Sequence, residues 1–319
     1  MKSNYEPKPP FIERMKKLLR SDFEEYWKIS QTEPRVSIRA NTLKIPISDL
    51  MKKLEDKGWK VKQPFENYPE IMIVESELKP GELGRALEHL LGYYYAQEIA
   101  SMLPVLALNP KPDEFVLDLC AAPGSKTTQM SAMMKNKGTI IANDPKLDRI
   151  KILASNLERC GSSNVVITKQ NGISLCKNLK KSGFEFDKIL VDAPCSGEGT
   201  IRSSPKTLLM WNINAIKSLS KLQKILLSSA IEILKINGEI VYSTCTHAPE
   251  ENEGVLDFIL KKFGNKIKIE KTNLPIECVK GIIKWDGEHY DKEVEKSCRI
   301  YPQNSNTEGF FIAKMRRMR

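Results

Sequence analysis

Two cysteines stand in matching surroundings, 50 residues apart. Cys195 lies in "VDAPCSGEGT" (Val191 to Thr200) and Cys245 in "IVYSTCTHAPEENE". Each follows an apolar run and precedes a turn, which puts each thiol at the mouth of a buried strand. A thiolate is a strong nucleophile, and covalent catalysis divides one hard step into easier ones. Free cysteine is also a frequent core residue, so either alone would be ordinary; it is the repetition that asks for chemistry. Asp192, three residues before Cys195, stands at the same strand end.

Three further strand ends carry candidates. In "LDLCAAPGSKTTQ" a strand ends at Asp118; Cys120, Ala121 and Ala122 leave room for a ligand to approach backbone. Pro123-Gly124 turns the chain, Ser125 is placed to cap the next helix, and that helix offers N–H groups to a carboxylate or phosphate. The "GSKT" tail is not a nucleotide P-loop: that motif needs glycine directly before the lysine, where Ser125 stands. No dinucleotide GxGxxG is present. In "TIIANDPKLDRI" Asp144 closes the next strand, 24 residues after Cys120, the place of an acidic partner for ribose hydroxyls, although Asp before a helix is also a plain cap. In "TKQNGIS" Asn171 offers an amide to an adenine ring, although Asn-Gly is more often just a turn.

These loops need a scaffold, and the spacing supplies one. From residue 113 strands alternate with helices: Phe115–Leu119, Thr139–Asn143, Val165–Lys169, Lys188–Val191 and Glu239–Tyr242, with helices over about 126–135, 147–160, 206–236 and 249–263. Apolar strands interleaved with helices predict a parallel sheet covered on both faces, with ligands beyond the strands' carboxyl ends. Phe310–Lys314 reads as a last strand, antiparallel at an edge. Before this, residues 9–30 carry apolar positions at helical spacing, "RVSIRANTL" and "IMIVES" read as strands, "ISDLMKKLEDKGW" as a helix, and "GYYYAQEIASMLPVLAL" as a helix leading into the main domain. The expected fold is an α/β Rossmann-like sheet over residues 91–319, preceded by a small α+β unit over residues 1–90.

Charge and composition bound the partners. The formal charge is +10; residues 1–110 hold 17 Lys/Arg against 16 Asp/Glu, so the excess sits later, at 33 against 24. Such a surplus suits a polyanion, RNA or DNA, or a lysine-rich solvated surface. No apolar run reaches the ~20 residues that span a bilayer, and the N-terminus lacks a signal-peptide core; a cytoplasmic protein is expected. The seven cysteines form no CxxC pair, so no metal is expected. Their odd number argues for reduced thiols, with Cys160, Cys176, Cys278 and Cys298 assigned to packing.

The set "LDLCAAPGSKTTQ", "ANDPKLDRI", "VDAPCSGEGT" and "YSTCTHAPEENE" resembles the Nop/Sun family of AdoMet-dependent RNA cytosine-5 methyltransferases, and "IRANTLK", "YYYAQEIASMLP" and "TEGFFIAKM" extend the resemblance over most of the chain. The resemblance implies S-adenosyl-L-methionine (AdoMet) as cofactor, contacted by Cys120, Ala121, Ala122, Pro123, Gly124, Ser125 and Lys126, by Asp144, Arg149, Asn171 and Asp192. Members often carry Asp where Asn171 stands. It implies Cys245 as the thiol that adds to carbon 6 of cytosine and Cys195 as the one that assists release, an order the residues alone leave open. Asp192 is then the acid near ring nitrogen 3, if its pKa is raised. His247 reads as a local hydrogen-bonding residue. Pro249 suits the first position of the following helix, with Glu250, Glu251 and Glu253 in its first turn. Lys217, Lys221, Lys224 and the Arg316, Arg317, Arg319 tail are candidates for phosphates. The expected substrate is tRNA; ribosomal RNA, DNA, or a non-catalytic RNA-binding role are the alternatives.

Overall fold

The computed structural model describes residues 6–319. They form two compact units. The first combines residues up to 34 with 191–232 and 236–319, and the second comprises 35–190 with 233–235.

The first unit opens with α1 (Pro9–Leu19) and α2 (Phe23–Ser30). Phe11, Met15, Leu19, Phe23 and Tyr26 face one side, as the periodicity predicts, and pack on Ile201, Leu208, Trp211, Ile216 and Ala248. The expected single helix is broken because Arg20 takes a positive φ of 54°, a conformation no α-helix continues through.

The second unit holds two sheets. β1 (Ser37–Ala40), α3 (Ile47–Asp56), β2 (Val61–Lys62), β3 (Ile71–Val74), the short α4 (Glu82–Arg85) and α5 (Leu87–Leu90), and β4 (Tyr94–Ala96) build an antiparallel sheet in the order β2-β3-β1-β4. Its core is Ile38, Leu50, Leu54, Trp59, Met72 and Tyr94. "YYA" is thus a strand pairing with β1, and the helix expected there begins later, as α6 (Ile99–Leu108), capped by the Glu98 side chain on the Ser101 amide. α6 is apolar all round and buried. Then β5 (Phe115–Asp118), α7 (Ser125–Met133), β6 (Thr139–Asn143), α8 (Leu147–Cys160), β7 (Val165–Thr168), α9 (Gly172–Lys181) and β8 (Phe186–Asp192) alternate. β5, β6, β7 and β8 are parallel, with Asp118 paired to Ala142 and to Leu190 and Asn143 to Thr168. That register brings the carboxyl ends of the strands to one edge.

The chain re-enters the first unit at Val191. There follow α10 (Thr207–Met210), α11 (Ile213–Ile231), β9 (Leu234–Thr244), α12 (Glu253–Phe263), β10 (Ile267–Glu270), β11 (Val279–Lys280), a hairpin of β12 (Lys284–Trp285) and β13 (Glu288–His289), β14 (Cys298–Ile300), α13 (Pro302–Ser305) and β15 (Phe310–Arg317). The nine-stranded sheet runs β11-β14-β15-β9-β8-β5-β6-β7, with β10 also on β15. The long helix expected over 206–236 is two helices, because Trp211 and Asn212 are extended. β15 is antiparallel as expected but not at an edge: β10 and β14 cover it. α12 starts at Glu253, so Pro249 is not its first residue; Pro249 to Asn252 form turns before it, and only Glu253 lies in its first turn. Cys278 and Cys298 are a disulfide, not two packed thiols. They lie 20 residues apart in no recognisable pattern, and it is the antiparallel pairing of β11 with β14 that brings them together.

Candidate active site

In the first unit, β8 ends at Asp192 and β9 at Thr244, and the Ala193 amide donates to the Ser243 carbonyl at 2.9 Å. This sets the two cysteine turns side by side. The sulfurs of Cys195 and Cys245 are 3.3 Å apart, both half-buried. The contact with Cys245 and then burial push the Cys195 thiol well above its usual range. Cys195 therefore holds its proton more firmly than an ordinary thiol.

The turns are fastened to each other and to the helices behind them. The Gly199 amide donates to the Cys245 carbonyl, and Thr246 Oγ1 meets Ser196 Oγ at 2.7 Å. Glu198, fully buried, accepts from Trp211 Nε1 at 2.8 Å and Thr246 Oγ1 at 3.3 Å. Asp192 Oδ1 accepts from Ser243 Oγ at 2.7 Å, two residues before Cys245. His247 is buried, stacked on Tyr301 with its edge toward Tyr26, and its backbone carbonyl accepts from Arg299. Burial, then Arg299, hold its pKa down at about 3. Nε2 has no hydrogen-bond partner, so the imidazole is a neutral packing group; the hydrogen bonding expected of it falls to its backbone.

In the second unit, the 120–126 turn joins β5 to α7. Thr127 Oγ1 donates to Asp118 Oδ2 at 2.7 Å and the Ala121 amide to the Asn143 carbonyl at 2.8 Å. Gly124 is the helix cap, at φ 105°, and a Cβ there would meet Leu153 Cδ1 at 2.9 Å. Ser125 is therefore already inside the helix and caps nothing. Lys126 is buried and donates to Ser101 Oγ at 2.9 Å. Asp144 follows β6. Its Oδ1 accepts the Lys146 amide at 2.9 Å, while its buried Oδ2 has no well-aligned hydrogen bond although Arg149 Nη1 stands 3.1 Å away. Arg149 also donates to the Ala122 carbonyl, so it joins Asp144 to the turn. Asn171 spends its side-chain oxygen capping α9, accepting from the amides of Ile173 and Ser174 at 3.1 and 3.3 Å.

Asn143 carries no functional signal beyond preceding Asp144, yet it holds three strand ends. Its amide donates to the Leu119 and Gln170 carbonyls and its oxygen accepts from Thr168 Oγ1 and the Gln170 amide. Gln223 is also unmarked in the sequence and Glu251 carries only a helix-start signal there, because the partners of their side chains lie 28 residues or more away.

The residues of the second unit fit AdoMet. α7 presents a helix N-terminus suited to a carboxylate, and Asp144, directly after β6, stands where such sheets place an acidic partner for ribose hydroxyls, its Oδ2 paired with Arg149. A Rossmann-like sheet carrying these loops defines an AdoMet-dependent methyltransferase. Residues 105–316 match the model of "16S rRNA methyltransferase RsmB/F", and residues 8–99 the "N-terminal domain of 16S rRNA methyltransferase RsmF". The chain belongs to this family of RNA cytosine-5 methyltransferases. It is 42% identical over 308 residues to a tRNA (cytosine(49)-C(5))-methyltransferase of Pyrococcus abyssi, covering 97% of this chain and 96% of that one. It is 37% identical over 314 residues to the ribosomal RNA small subunit methyltransferase F of Vibrio cholerae, of whose length the match covers 63%. Among solved structures, a methyltransferase homologue from Pyrococcus horikoshii superposes with a TM-score of 0.85 at 34% identity, covering 98% of this chain and 96% of that one. NSun6 from the same organism, solved with SFG, superposes with a TM-score of 0.83 at 26% identity over 98% of both chains.

Proposed function

We propose that this chain methylates carbon 5 of a cytosine in tRNA, with Cys245 as nucleophile and Cys195 as the thiol that assists release. The observation that carries the reading is the 3.3 Å separation of the two sulfurs at neighbouring strand ends, where the contact raises the Cys195 thiol above its usual range. Carbon 5 of cytosine is a poor nucleophile. Addition of the Cys245 thiolate to carbon 6 forms an S–C bond and breaks the ring's conjugation, so the former C5–C6 electron pair becomes available at carbon 5. Asp192 is the proposed acid that meets the charge at ring nitrogen 3. AdoMet, when bound, supplies an electrophilic methyl group; Cys120 to Lys126, Asp144 and Arg149 are proposed to hold it, with Asp192 and the amide nitrogen of Asn171.

Once Cys245 is alkylated it no longer bears charge, and the main cause holding the proton on Cys195 is gone. Cys195 loses that proton to solvent and then takes the proton of carbon 5. The freed electron pair restores the C5–C6 double bond, the S–C bond breaks, Cys245 leaves as thiolate, and the proton lent to nitrogen 3 returns to Asp192.

Support for tRNA comes from the Pyrococcus abyssi relative, a tRNA (cytosine(49)-C(5))-methyltransferase 42% identical over 97% of this chain. The target base must leave its stack to be reached. Among the described residues no helix is long and apolar enough to cross a membrane; we place the activity in the cytoplasm, with the RNA. The test is methyl transfer from labelled AdoMet to tRNA, ribosomal RNA and duplex DNA in parallel, where labelling confined to tRNA supports the reading and labelling of ribosomal RNA or DNA alone refutes its substrate.

A further inference from the structure

One closed set of hydrogen bonds grips the backbone on both sides of Cys195. Gln223, on α11, donates from Nε2 to the Pro194 carbonyl at 2.9 Å and to Glu251 Oε2 at 2.8 Å. The same carboxylate oxygen accepts the Ser196 amide at 3.1 Å. Having two acceptors around it fixes which atom of the Gln223 amide is nitrogen. Glu251 is tied in turn to the other thiol's strand and turn: Tyr242 Oη donates to its carbonyl, and its amide donates to the Ala248 carbonyl. Both side chains are wholly buried, and the remaining side-chain oxygen of each has no partner. Burying such groups incompletely satisfied costs stability, which an apolar pair would not. The arrangement gains position: Pro194 and Ser196 are pinned to the element that also bears the Cys245 turn.

We propose that Gln223 and Glu251 are a positioning pair that fixes the Cys195 sulfur against Cys245 and thereby governs release of the methylated base, leaving attack by Cys245 unaffected. The inference rests on the reading of Cys195 as the release thiol. Neither residue touches the base; each acts through the backbone beside Cys195. Displacement of a reacting group by about 1 Å can slow a step by about 10²-fold, so removal of the clamp is felt at that step before it is felt elsewhere.

The experiment follows the covalent protein–RNA adduct in single turnover on a denaturing gel, using the RNA that the wild-type enzyme labels. Gln223→Met removes both donors at nearly constant volume; Glu251→Gln keeps an acceptor for the Ser196 and Gln223 N–H groups. Gln223→Met is expected to form adduct within about 3-fold of the wild-type rate and to resolve it about 10-fold more slowly or worse, while Glu251→Gln resolves it at near the wild-type rate. If Gln223→Met does not fold, Gln223→Asn, which withdraws the amide by one methylene, carries the same expectation. Equal slowing of formation and decay, or decay at the wild-type rate, overturns the inference. Cys195→Ala is run beside them: if it traps adduct while the Gln223 variants do not, the positioning role alone has failed; if it traps none, the parent reading has failed and the inference with it.

Discussion

The Gly199 amide donates to the carbonyl of Cys245 at 2.9 Å, and a Cβ on Gly199 would stand 2.2 Å from the Gly309 carbonyl oxygen and 2.9 Å from that of Cys245. Four residues after one thiol, the chain thus touches the other thiol's backbone with no space for a methyl group. Both obstacles are main-chain atoms, which cannot swing aside. Gly199→Ala is expected to destabilise the fold by about 1–3 kcal/mol and to lower the rate of adduct formation at temperatures where the variant remains folded. Thermal unfolding followed by circular dichroism measures the first, and single-turnover gels the second.

Glu251 lies in the same unit, and burial raises its pKa to about 7 against the hydrogen bonds from Ser196 and Gln223, with the charge of Glu198 adding to the rise. Between the unfolded value near 4.3 and about 7, the folded state binds more protons than the unfolded one. Stability therefore falls as pH rises through that window. Glu251→Gln, which cannot ionise, removes the slope: the variant gains on the wild type as pH increases from 5 to 8, by on the order of 2–3 kcal/mol at most. Urea unfolding at pH 5 and pH 8 gives the difference, and a variant whose relative stability does not change with pH contradicts it.

Asp144 belongs to the second unit, where its buried Oδ2 lacks an aligned hydrogen bond and Arg149 links it to the Ala122 carbonyl. As the proposed acceptor for ribose hydroxyls it is worth about 1.5–3 kcal/mol, or about 10- to 100-fold in affinity. Asp144→Ala is expected to weaken AdoMet binding by that factor in isothermal titration without RNA present. Unchanged affinity removes Asp144 from the cofactor site.

Much of this architecture was legible residue by residue. Thr139–Asn143 and Leu147–Cys160 stand where periodicity predicts them, because a continuous apolar run and an amphipathic stripe each leave one reading. Asp144 and the two thiols were found at strand ends for the same reason. The misses share a physical cause. The break at Arg20 comes from one backbone angle; α9, only ten residues long and opening on an Asn-Gly turn signal, passes for a loop. Cover for β15 comes from strands of three and four residues, too short to show alternation. The clamp of Gln223 on Pro194 and the pairing of Cys278 with Cys298 exist only once distant segments are folded together, and no local pattern encodes them. Ser125 and Pro249 carried cap signals that the turns beside them displaced, Gly124 taking one cap and Asn252 the other.

The division of labour between the thiols is tested most directly by incubating labelled tRNA and AdoMet with wild type, Cys245→Ala and Cys195→Ala, then resolving the products under denaturing conditions. Cys245→Ala should give neither methylated RNA nor adduct. Cys195→Ala should hold the RNA on the protein as a slow-migrating band. Adduct trapped by Cys245→Ala and abolished in Cys195→Ala would contradict the assignment and reverse the two roles.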